Sequence, residues 1–120
     1  MQSSLSVIPL VLAASLFLIV IPAHAEYVGP SSIPQATVQD LTKNGRDDQY
    51  AVLRGHLVSH DGGENYTFED ASGRMAVEIS PKRMPVGRQF DAQQKLELTG
   101  KLDRDFRKTE FEVKQVRLLD

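Results

Sequence analysis

From Tyr50 onward apolar and polar residues alternate with period two, the spacing of strands with one buried face. Leu53, Gly55 and Leu57 fall on one face of the first run, and Val52, Arg54, His56 and Val58 on the other. Residues 60–65, His-Asp-Gly-Gly-Glu-Asn, read as a turn, residues 66–70 as a short second strand and Ala71-Ser72-Gly73 as the next turn. In the third strand, residues 74–80, Met75, Val77 and Ile79 alternate against Arg74, Ala76 and Glu78. Residues 81–92 hold Pro81, Pro85 and Gly87 and are expected to form a loop. Residues 95–102 alternate again, with Leu96, Leu98, Gly100 and Leu102 inward, and residues 103–109 form a charged turn. The last strand places Phe111 and Val113 inward but then Val116 and Leu118. A one-residue slip flips every later side chain, so this change of parity predicts a bulge near Lys114 and Gln115.

Upstream, residues 26–49 form a turn-rich extension with one short helical turn. Thr37 is placed to cap it with Asp40 at the third helical position, Val38 and Leu41 share a side, and Asn44-Gly45 ends it. Five short strands over residues 50–120, read as antiparallel, are too few for a large sandwich, and closing on themselves removes unpaired edges. Gly55, in the middle of the longest strand, suits a strand that coils through both halves of a small barrel. The fold expected is all-β, a five-stranded OB-fold barrel preceded by a short helical turn. An open meander or an SH3-like barrel is the alternative.

The front of the chain has a different character. Residues 7–21, VIPLVLAASLFLIVI, are almost continuously apolar and are followed by Pro22 and the small-x-small triplet Ala23-His24-Ala25. All 14 Lys and Arg and all 16 Asp and Glu lie from Glu26 onward. Residues 1–25 read as a signal peptide cleaved before Glu26, which implies secretion across the inner membrane into the periplasm. The run is shorter than the roughly 20 residues of a membrane span, so no stable membrane anchor is expected. The residues before it, MQSSLS, lack the usual basic charge.

The net charge of −2, with both signs interspersed, argues against a polybasic nucleic-acid tail or an acidic tail. With no cysteine, disulfides, thiolate catalysis and Cys-ligated metals are ruled out. His56 and His60 lie four apart, about 13 Å along a strand, too far to share one zinc ion. Ser59-His60-Asp61 has the residue types of a hydrolase triad, but as chain neighbours rather than converging groups, and no nucleophile elbow is present. The acid-rich turns at residues 61–65 and 103–105 do not follow a calcium-loop pattern. Tyr66, Phe68 and Phe111 share parity with the core, and the outward face mixes both signs, so nucleic-acid binding is not expected. The expectation is a non-enzyme without cofactor or metal.

With these elements placed, the chain resembles the bacterial OB-fold family of small exported stress-tolerance proteins, the YgiW/YdeI-like family. The resemblance spans residues 26–120. It is carried by Tyr27-Val28-Gly29-Pro30, by the acid pair Asp47-Asp48, and by the run from Val52 to Leu57 around Gly55. It continues in the hairpin Tyr66, Phe68, Asp70, Ser72, Gly73, then Gly100, Leu102 and Asp103, then Glu110-Phe111-Glu112-Val113. The spacing in the first strand is one residue shorter than the family pattern, and the Trp usual before the third-loop Gly is missing ahead of Gly87. The resemblance implies a periplasmic protein tied to envelope-stress tolerance and without a catalytic site.

Two functions fit this reading. One is a binding module for an envelope component: a glycan, a cationic peptide or an outer-membrane protein. The other is a structural or buffering envelope protein without a defined ligand, and an OB domain for nucleic acid is a weaker third. Fold analogy favours the first. The expected ligand contacts are Arg104, Phe106, Arg107 and Lys108, because Phe106 is the aromatic that falls in a loop, among cations, with no core parity to satisfy. The alternative for Phe106 is to fold back and plug the barrel.

Overall fold

The computed structural model describes residues 32–120. The signal-peptide reading of residues 1–25 and the Tyr27-Val28-Gly29-Pro30 motif lie outside the described residues. A short helix α1 (Val38–Asn44) precedes five strands: β1 (Tyr50–Gly62), β2 (Asn65–Asp70), β3 (Gly73–Glu78), β4 (Leu96–Arg104) and β5 (Thr109–Leu118). The strands close into a barrel in the order β1-β2-β3-β5-β4, the five-stranded OB architecture. Among the five strands every pairing is antiparallel except β3 with β5, which is parallel and corrects the all-antiparallel expectation. A chain returning to β3 from β4 has to arrive in that direction.

β1 serves both halves of the barrel. Tyr50 to Gly55 pair with β4, and His56 to Gly62 pair with β2. Gly55 is the last residue of the first half, and Phe68 of β2 fills the space beside it. β1 also runs further than the turn-like composition of residues 60–65 suggests. Register shifts at Val58 and Asp61 let it continue to Gly62, so the turn shrinks to Gly63 and Glu64. Both Gly62 and Gly63 have positive φ, 112° and 59°. In β5 the expected bulge is present: Thr99 faces Gln115 and Gly100 faces Val113, leaving Lys114 as the extra residue.

The inward positions read from the sequence make the core, with Leu53, Phe68, Val77, Leu98, Leu102 and Phe111 fully buried. Hydrogen bonds at both ends of α1 fix it over one mouth of the barrel. Thr37 Oγ1 accepts from Asp40 N and Asp40 Oδ2 accepts from Thr37 N, completing the expected capping box. Two residues of the β2–β3 turn add to it: Asp70 Oδ2 accepts from Val38 N at 2.9 Å, and Ser72 Oγ accepts from Gln39 N at 2.9 Å. The helix places Val38 and Leu41 into the core. At the far half of β1, Met84 and Phe90 from the loop after the 3₁₀ turn Pro81–Arg83 pack part-buried against the core.

Candidate functional site

The β4–β5 turn is closed by its own hydrogen bonds. Asp105 Oδ1 accepts from Arg107 N at 2.7 Å and from Lys108 N at 3.0 Å, while Asp105 N donates to Lys108 O at 3.0 Å. This Asx-type closure leaves Phe106 at the tip, 91% exposed, with the Arg107 guanidinium carbon 5.2 Å from its ring centroid. Phe106 therefore does not plug the barrel; α1 already occupies that end. Lys108 Nζ lies 3.4 Å from Glu110, whose charge and hydrogen bond raise the lysine pKa.

Arg104 leaves this group. Its guanidinium turns away from the turn and donates to three carbonyls around the end of α1: Leu41 O (3.1 Å), Thr42 O (3.0 Å) and Gly45 O (2.8 Å). Its backbone N–H is held by Asp47 Oδ1 at 2.8 Å. Leu41 O also accepts the N–H of Gly45, but carbonyls at a helix C-terminus lack the full set of helical partners, and a fork of guanidinium donors fits them. Of the four residues singled out from the sequence, Phe106, Arg107 and Lys108 stay together at the surface and Arg104 is tied to the helix.

A second concave region was not legible in the sequence. An open groove of about 610 Å³ lies between the second half of β1 and the loop after Pro81–Arg83. Leu57, Met84 and Phe90 form its apolar part, while His60 and Tyr66 stand on one side as a parallel stack, 4.3 Å between centroids and 10° between planes. The two are a cross-strand pair, created by the bulge at Val58 that brings His60 opposite Tyr66. Arg88 lines the same groove and has no hydrogen-bond or ion-pair partner among the described residues.

Other residues with potential chemistry have structural partners. His56 Nδ1 is 3.1 Å from Gln94 O, and His60 Nε2 is 2.8 Å from Gly63 O. Asp61 accepts from Ser59 Oγ at 2.8 Å and Thr67 Oγ1 at 2.7 Å; these bonds, that from Thr67 first, hold its carboxyl below the usual range. Ser59, His60 and Asp61 are thus not arranged as nucleophile, base and orienter. Among the described residues no group of three or more His, Asp or Glu side chains converges as a metal site.

The family model for the bacterial OB fold (BOF) protein matches residues 22–118. The chain is 35% identical over 112 residues to the calcium-regulated OB-fold protein CarO of Pseudomonas aeruginosa, covering 93% of this chain and 95% of that protein. It is 36% identical over 81 residues to protein YgiW of Escherichia coli, covering 68% of this chain and 62% of YgiW. The solved structure of E. coli YgiW superposes with a TM-score of 0.67 at 30% identity, over 76% of this chain and all of that one. The telomere-capping protein Ten1 of Schizosaccharomyces pombe, at 15% identity and a TM-score of 0.57, shares the fold alone, over 72% of this chain and 81% of Ten1.

Proposed function

We propose that this chain, which belongs to the bacterial OB-fold family, is an exported, non-catalytic binding module of the cell envelope that contributes to stress tolerance. The β4–β5 turn is its contact with an anionic envelope glycan. The apolar run and the Ala23-His24-Ala25 triplet support export. The observation that carries the binding reading is the pairing of Phe106 with Arg107 at the tip of a turn fixed by Asp105.

An aromatic ring so exposed forgoes the free energy of burial and contributes little to the fold, so its position needs another reason. The flat face of a sugar ring stacks on such a ring, and Arg107 supplies the cation to its acidic groups, with Lys108 beside it paired to Glu110. Because Asp105 already holds the backbone, little loop entropy is lost on binding. Crosslinking the protein in an envelope fraction tests this: one dominant glycan-bearing species is expected, whereas only scattered minor species would point to a structural protein without a ligand.

A further inference from the structure

We infer that the groove between β1 and the residue 84–92 loop is a second binding site, for a small amphipathic anion: a flat apolar ring bearing a carboxylate, phosphate or sulfonate. The volume, about 610 Å³, is that of a pocket for a drug-sized ligand. Its chemistry is two-sided. Leu57, Met84 and Phe90 offer an apolar floor, and the His60–Tyr66 stack offers a planar wall against which another ring can lie.

Charge then selects the ligand. Arg88 is exposed on the groove with no hydrogen-bond or ion-pair partner among the described residues, whereas Glu97 bridges Arg54 and Arg117, and Glu69 holds Arg74. The one carboxylate in the lining, Asp91, accepts the backbone N–H of Gln93 at 2.9 Å through Oδ1 and forms no ion pair with Arg88. Asp61, hydrogen-bonded by Ser59 and Thr67, lies outside the lining and forms no ion pair with Arg88. A free guanidinium beside an apolar floor complements an anionic head on an apolar body. This site shares no residue with the β4–β5 turn and stands independently of the reading proposed for that turn.

The test uses anilinonaphthalene sulfonate as the anionic probe and uncharged phenylnaphthylamine as its control, titrated into the purified protein with amide chemical shifts recorded. Saturable binding at one site is expected, with shifts centred on Tyr66, Arg88 and Phe90. Arg88→Ala, a surface change that leaves the melting temperature in place, should weaken the sulfonate about tenfold or more and the uncharged probe little. Phe90→Ala should weaken both, and Phe106→Ala neither. Unsaturable binding, shifts centred on residues 105–108, or equal affinity of wild type and Arg88→Ala for the sulfonate would each overturn the inference.

Discussion

The ring of Phe68 stands where the side chain of Gly55 would begin: a Cβ built on Gly55 would lie 2.8 Å from Phe68 Cζ and in collision with the carbonyl oxygen of Glu69. Gly100 and Phe111 repeat the relationship between β4 and β5, with Phe111 Cε2 3.0 Å from a Cβ built on Gly100 and the Glu112 carbonyl against it. In each pair a glycine lets a neighbouring strand pass closely and a phenylalanine fills the vacated core. Gly55 also sits where β1 changes partner from β4 to β2, so the close approach and the change of partner coincide.

Gly55→Val is therefore expected to destabilise strongly. The obstacle is partly backbone, which cannot rotate out of the way, so the cost belongs at the upper end of core overpacking, about 3 kcal/mol. Gly100→Ala should behave alike. Chemical denaturation checks both, and an unchanged midpoint for Gly55→Val would argue against the tightly coiled β1.

Arg104→Met should cost about 2 kcal/mol, because it strips three carbonyls near the end of α1 of charged donors while keeping the side chain's bulk. Hydrogen exchange should show α1 amides opening before those of the barrel. Loss confined to ligand capture, with stability intact, would return Arg104 to the binding surface.

The pH dependence of stability should carry two opposing terms. Burial alone would raise the pKa of Glu97, but hydrogen bonds from Arg54 and Arg117 and their charges outweigh it and hold it low. A depressed folded pKa contributes stability that is present above the ordinary glutamate range and lost as pH falls through the folded value. Glu78 is the reverse: burial first, then the charges of Glu110, Glu64 and Glu112, raise its pKa, so its ionisation weakens the fold as pH rises through that range. Glu97→Gln should thus lower stability at neutral pH, Glu78→Gln should increase it, and both differences should fade in acid. Denaturation midpoints across that range decide the signs.

How far the sequence carries depends on what kind of signal each feature leaves. Thr37 and Asp40 form a local cap three residues apart, and the parity change after Val113 is a local record of the bulge at Lys114, so both were legible. Residues 60–62 were read as turn because Asp and Gly dominate them, yet two bulges carry β1 through them. Arg104 looked like a free loop cation because its three acceptors lie some 60 residues earlier in the chain. The groove stayed hidden because Met84, Arg88 and Phe90 sit in a loop without periodicity and meet His60 and Tyr66 only in the folded chain.

The exported form is expected to begin at Glu26. Mass spectrometry of protein from a periplasmic extract should show that N-terminus; an intact Met1, or recovery from membranes alone, would contradict export with cleavage.

The most direct test of the account is Phe106→Ala, measured twice on the same preparation. A residue so exposed should change stability by no more than about 0.5 kcal/mol. Recovery of the crosslinked envelope species should fall to background while the melting temperature holds. A lowered melting temperature with capture unchanged would contradict the assignment of this turn as the contact surface.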